Sequence, residues 1–177
     1  MKKFKNNPRA LSVAFICLLA AGTAAGFARQ QFSAQRAAAS GLPEVKVMLT
    51  GAVARAGESV PLDKAGEVRA GDILDWRITS ANEGDGAARQ YKTVGQIPRG
   101  TSFVAGSASA EYDAVVTYSI DHGKNFSARP TVEEQQADGT VKEVSAPASA
   151  YTQVRYEWSD PLAAGKTLAA AYKVRVR

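Results

Sequence analysis

Asp72-Ile73-Leu74-Asp75-Trp76-Arg77-Ile78-Thr79-Ser80-Ala81-Asn82 is the stretch on which the fold turns. Leu74, Trp76 and Ile78 alternate with Asp75, Arg77 and Thr79, a period of two that sends one row to an apolar face and the other to water. Asn82-Glu83-Gly84-Asp85-Gly86 ends the run, because Gly and Asn tolerate positive φ. The same period recurs on both sides. Val45, Val47 and Leu49 alternate with Lys46, Met48 and Thr50, which places the first row on a core face. Residues 51–57 read as a turn or an edge segment. A weaker strand with Tyr91 and Val94 covers residues 88–97, and Ile97-Pro98-Arg99-Gly100 is a turn. Residues 115–120 form a strand with Val116, Tyr118 and Ile120 on one face. Val154, Tyr156 and Trp158 alternate with Gln153, Arg155 and Glu157. In the final strand Leu168, Tyr172, Val174 and Val176 oppose Lys173, Arg175 and Arg177. Asp138-Gly139, a favoured type I′ pair, predicts a polar hairpin over residues 131–144 that projects into solvent. No sustained helical period follows residue 43. Short strands separated by Gly and Pro turns predict an all-β sandwich of about 7–9 strands. Trp76, Trp158, Tyr118 and Tyr172 are expected between its sheets.

The first residues read as a secretory signal peptide with a short helix. Lys2, Lys3, Lys5 and Arg9 precede an apolar core from Leu11 to Leu19, then a run of small residues. The apolar core is shorter than the roughly 20 residues a spanning helix needs, so cleavage after Ala25 or Ala28 is expected rather than a membrane anchor. The chain carries 22 Lys+Arg and 17 Asp+Glu; four of the bases and none of the acids lie in residues 1–28, leaving 18 against 17. The basic balance therefore belongs to the leader, and nucleic-acid binding, which needs a clustered basic face, is not expected. Cys17, the single cysteine, also lies in the leader, so the mature chain can form no disulfide or thiolate metal site. The domains expected are the signal peptide at 1–28, a linker or flexible arm at 29–43 rich in Ala, Gln, Ser and Arg, and one β-domain at 44–177.

The order of the pieces resembles a prokaryotic conserved-repeat family, domain of unknown function 11. Ala70-Gly71-Asp72 leads into Trp76-Arg77-Ile78 and ends at Asn82-Glu83-Gly84; Gly95-Gln96-Ile97-Pro98-Arg99-Gly100 follows, with Gly95 where the family usually has an acid. Then come Phe103-Val104-Ala105-Gly106-Ser107 and Tyr118-Ser119-Ile120-Asp121-His122-Gly123. The match covers about residues 64–177. It implies an immunoglobulin-like sandwich in a secreted or surface protein, and it brings no catalytic residues with it. The family often occurs in tandem repeats; this chain has one copy.

Residues 119–126, Ser-Ile-Asp-His-Gly-Lys-Asn-Phe, also resemble the Asp-box, with Asn125 and Phe126 substituting at its end. The residue types favour a hairpin turn in which Asp121 accepts backbone N–H bonds, Gly123 takes positive φ and the aromatic anchors the loop. The sharper alternative, a cation or sugar site at Asp121, lacks the carboxylate density of a calcium loop. His122 is the only histidine, which excludes a histidine metal cluster. A Ser-His-Asp triad would have to use it at a water-exposed turn, without a nucleophile elbow. Asp72 and Asp75, and likewise Glu133 and Glu134, diverge on their strands. The row Lys173, Arg175 and Arg177 could meet acidic polysaccharide or lipid headgroups, but pairing with acids such as Glu157 is the simpler expectation. A Lys–Asn isopeptide crosslink is not expected, since no Asn or Asp lies between Lys166 and Arg177.

The sequence thus points to an exported, non-enzymatic β-sandwich with no catalytic residues, no cofactor and no metal, located in the periplasm, at the cell surface or outside. Its expected role is structural or in interaction at the cell envelope. Two alternatives remain open: a subunit of a surface polymer or adhesin that self-associates by strand addition, the arm from Arg29 reaching a neighbour's edge, and a carbohydrate- or cation-binding module. Contact with a membrane is expected only through an uncleaved leader.

Overall fold

The computed structural model describes residues 41–177 apart from Ala56, so the leader and most of the arm lie outside the described residues. Gly41–Arg177 forms one compact unit, beginning slightly before the expected boundary at residue 44. Among the described residues eleven strands are present: β1 Val45–Arg55, β2 Glu58–Pro61, β3 Ile73–Asn82, β4 Lys92–Gln96, β5 Thr101–Phe103, β6 Ser109–Ala110, β7 Ala114–Ser119, β8 Thr131–Gln135, β9 Val141–Ser145, β10 Gln153–Trp158 and β11 Thr167–Val176. One sheet has the order β2-β1-β3-β11-β5, with β6 also on β11; the second is β4-β10-β7; β8 and β9 form a separate hairpin. The fold is an all-β sandwich, and its two facing sheets hold the strands other than that hairpin. Among the described residues no helix is long and apolar enough to cross a membrane.

The period-two rows assemble the core. Leu74 and Ile78 of β3 lie beside Val174 and Ala170 of β11, while Val154, Tyr156 and Trp158 of β10 face them from the other sheet. Two tyrosines cross-brace the sandwich. The Tyr156 hydroxyl donates to the carbonyl of Ala171 at 2.7 Å, and the Tyr172 hydroxyl donates to the carbonyl of Gln96 at 2.5 Å. Each ring supplies a large apolar area while its polar tip keeps a partner. Burial pushes the Tyr172 hydroxyl up to about 12 and that of Tyr156 higher still, because a phenolate would lose its hydration there. Trp158 and Tyr172 occupy the core as expected, whereas Trp76 and Tyr118 are only partly buried.

Two turns are tied by side chains. Asp72 accepts from the backbone N–H of Arg69 at 3.0 Å and from Arg55 at 3.1 Å, which holds its carboxyl below the usual carboxylate range. Arg55 also donates to the carbonyls of Ala65 and Glu67, so one guanidinium fastens the 62–72 loop to β1. Asn82, at the end of β3, is buried. Its oxygen accepts from the N–H groups of Glu44 and Gly84, and its amide donates to the carbonyls of Gly86 and Leu162. The whole hydrogen-bonding capacity of the side chain is used.

The structure also departs from the sequence reading in a loop and along β1. The 131–145 hairpin does not turn on a two-residue type I′ loop. Gly139 has φ 84° while Asp138 is not in the positive-φ region, and the loop spans residues 136–140, closed by Gln136 N–H on Thr140 O and Gly139 N–H on Gln136 O. Local hydrogen bonds decided it, since Asp138 accepts from the N–H and hydroxyl of Thr140. Residues 51–55, read as part of a turn or an edge segment, continue β1, paired to β2 on one side and, up to Val53, to β3 on the other. Earlier in β1, Val47 and Leu49, expected on a core face, are 56% and 53% exposed. The opposing sheet is only three strands wide. Its contacts include those on β11 and β5, Gly95 against Tyr172 and Tyr118 against Phe103.

Candidate functional site

The Asp121 turn is the motif most suggestive of chemistry, and its geometry spends that chemistry on the loop. Asp121 Oδ1 accepts from the Ser119 hydroxyl at 2.7 Å and the Asn125 N–H at 2.9 Å, and Oδ2 accepts from the Asn125 amide at 2.7 Å. Ser119 Oγ in turn accepts from Gly123 N–H at 2.8 Å. Gly123 has φ 88° and His122 φ 59°, the conformations such a turn demands. Phe126 closes it beneath the Arg155 guanidinium, 4.4 Å from the ring centroid. These donors hold the Asp121 carboxyl down at about 2, the Asn125 N–H first and the Ser119 hydroxyl next. A group with a depressed folded pKa stabilises above its unfolded value and loses that contribution as pH falls through its folded value. The turn is therefore expected to loosen between about pH 4 and pH 2. Asp121→Asn should remove that pH dependence and raise cleavage after Lys124 by trypsin at neutral pH; unchanged cleavage would show that the carboxylate does not hold the loop.

His122 lies at the tip of this turn, beside the Ser119 and Asp121 pair. His122 borders a shallow cleft of about 480 Å³ with Ile97, Arg99, Ser149, Tyr151 and Arg177. Among the described residues no Asp or Glu side chain lines this cleft. Among the described residues no group of three or more His, Cys, Asp or Glu side chains could hold a metal ion.

The basic row of the last strand is largely engaged, though not with Glu157. Lys173 pairs with Asp75 at 2.8 Å, and Arg177 donates to Ser102 Oγ and to the carbonyl of Ser149. Glu157 lies near Arg155 at 3.8 Å on the other sheet. The choice of acid was set by β3–β11 register, which places Lys173 opposite Asp75.

What remains is the edge of β1. Strand β2 covers only Ala52 to Arg55, whereas β3 pairs β1 from Val45 to Val53. Among the described residues no strand pairs with residues 45–50 of β1 on the side away from β3. The carbonyl of Gly51 accepts from Leu62 on the β2 side, and that of Glu44 accepts from Glu83 on the β3 side. Alternation in an antiparallel ladder then directs the N–H and C=O groups of Val45, Val47 and Leu49 to the open side. Val47, Met48 and Leu49 are each more than half exposed, and Leu42 just before them is 84% exposed. Proline, inward charge and bulges are the usual guards of an edge. Here the only charge within residues 45–50 is Lys46, which is paired to Glu83. The sequence signal for this site was Met48, an apolar residue on the row assigned to water. A second feature that sequence reasoning passed over is Tyr112, 80% exposed at φ 58°. Its neighbour Glu111 is clamped by Trp158 and Ala169. Compared with protein-family models, curated proteins and solved structures, the chain matches none.

Proposed function

We propose that this chain is an exported, non-enzymatic protein with a structural or interaction role at the cell envelope or surface, and that it engages its partner by strand addition at the open edge of β1. The observation that carries this reading is the exposed Val47-Met48-Leu49 run on a stretch of β1 whose outward backbone groups find no partner strand among the described residues. Backbone hydrogen bonds supply affinity in such addition and alternating side chains supply selectivity. The leader at residues 1–28 and the resemblance to domain of unknown function 11, with its immunoglobulin-like sandwiches, support an exported setting. Strand addition is favoured over cation binding because the Asp121 carboxylate already serves its own turn.

Two measurements test the reading. N-terminal sequencing of the native protein should begin after Ala25 or Ala28, in material recovered outside the cytoplasm; cytosolic protein starting at Met1 overturns the export part. A photo-crosslinking residue at Val47, introduced into the full chain in the native cell, should give discrete adducts that the same residue at Lys124 does not. Equal or absent adducts at both positions overturn the interaction part.

A further inference from the structure

The open edge is complementary to itself. We propose that its occupant is a second copy of this chain, with β1 of the two copies antiparallel about a two-fold axis through Val45. This rests on the strand-addition reading and specifies its partner. In this register, residues whose numbers sum to about 90, twice that of the residue on the axis, face each other, as antiparallel pairing about a residue requires. Val45 meets its own copy; the outward N–H of Val47 donates to the carbonyl of the partner's Pro43, which has no N–H to return, and Leu49 comes opposite the partner's Gly41, whose own carbonyl lies against Gly86. On the opposite face Leu42 meets the partner's Met48, and Glu44 meets the partner's Lys46.

Three observations select this pairing. The first is charge. Glu44 and Lys46 are both exposed and flank Val45, so the two-fold places each acid across from a base, twice. Lys46 already holds Glu83 and would then sit between two carboxylates. The second is apolar matching. Leu42 and Met48, among the most exposed large apolar residues, become cross-strand neighbours, and Val47 is covered by a proline. The third is the length of the edge. Leu62 donates to Gly51 and β2 begins its pairing at Ala52, so an added strand must stop near Thr50. A two-fold at Val45 keeps residues 41–45 of the second copy within that limit. A two-fold at Val47 would drive the partner's Pro43 into Leu62, and it would leave Lys46 facing Met48 instead of an acid.

Cysteine crosslinking tests the register directly. Facing residues in a hydrogen-bonded antiparallel pair have Cα atoms about 5.5 Å apart, within the span a disulfide bridges. In a Cys17→Ser background, Val45→Cys should oxidise in air to a covalent dimer, and Leu49→Cys should not. Sedimentation equilibrium should show the wild-type full chain, as recovered after export, in a reversible monomer–dimer equilibrium. Val47→Pro removes an outward N–H that β3 does not use, so it should fold with an unchanged near-ultraviolet circular dichroism spectrum and dimerise at least about tenfold more weakly. Glu44→Lys sets like charges opposite each other twice and should weaken dimerisation by roughly 2- to 30-fold. Crosslinking through Leu49→Cys as strong as through Val45→Cys, or a wild-type chain that stays monomeric at millimolar concentration, overturns the proposal. In the second case the mass of the Val47 photo-adducts separates the two readings. An adduct with a different protein leaves strand addition standing without self-pairing, and no adduct removes both.

Discussion

Asn82→Ala is expected to destabilise the domain by about 3–5 kcal/mol, the cost of stranding several buried polar groups at about 1–3 kcal/mol each. Alanine leaves the carbonyls of Gly86 and Leu162 without their amide donors, and the N–H groups of Glu44 and Gly84 without their acceptor. The site does not open readily to water. Asn82 is 1% exposed, and its own backbone is bonded on both sides, N–H to Lys166 and C=O from Gly165. The side chain joins the start of β1, the 83–86 turn and the approach to β11, so all three lose their common anchor. Gly84 and Gly86 have no room for a Cβ, which would lie 2.3 Å from Leu42 O and 1.9 Å from Gly41 O. The turn therefore cannot be repaired by side chains of its own. Urea unfolding should show the midpoint falling with little change in slope, and thermal unfolding should shift down by roughly 10 °C or more. A loss below about 1 kcal/mol would show that water replaces the amide and that the network is not needed.

Gly95→Asp is expected to cost about 3 kcal/mol or more, by overpacking together with burial of a carboxylate. The resemblance to domain of unknown function 11 makes this substitution look like a restoration, since an acid is usual there; the packing makes it a disruption. A Cβ on Gly95 would lie 2.3 Å from Cε1 of Tyr172 and 2.9 Å from Cζ. The ring cannot swing aside, because Tyr172 is 1% exposed and its hydroxyl is fixed to the carbonyl of Gln96 next along β4. Gly95→Ala should fall between, at about 1–3 kcal/mol. Tyr172→Ala removes the obstacle while opening a cavity, so the double variant Gly95→Ala with Tyr172→Ala should be more stable than the sum of the single losses implies. Strict additivity in denaturant unfolding would mean that the contact with the ring is not what excludes a side chain at residue 95.

Much of the sandwich was legible because its physics is local. Leu74 and Ile78, Val154 with Tyr156 and Trp158, and Leu168 with Tyr172 and Val174 are the inward rows that the alternation announced, and they are buried. The Asp121 turn was legible for the same reason, its acceptors and donors lying within a few residues of one another. The loop at Asp138 is not the two-residue turn that Asp-Gly predicts, because Asp138 bonds Thr140 and widens it. Asn82 was legible as a strand stop but not as an anchor, since one of its partners, Leu162, lies far along the chain.

By itself the sequence determined the class of fold, the inward rows of β3, β10 and β11, and, from its single histidine and single cysteine, that no cluster of several His or Cys ligands can form. Period, turn chemistry and residue inventory suffice for these, because each depends on residues near in sequence or on their number. Only the tertiary structure decided which apolar row is covered. Val47 and Leu49 alternate as faithfully as Leu74 and Ile78, yet they stay exposed while Val53, further along β1 on the same face, is fully buried. A strand's pattern fixes which of its faces is apolar; whether another layer reaches that face depends on the width and placement of a sheet built from residues 92–158, long-range pairings that no local spacing encodes.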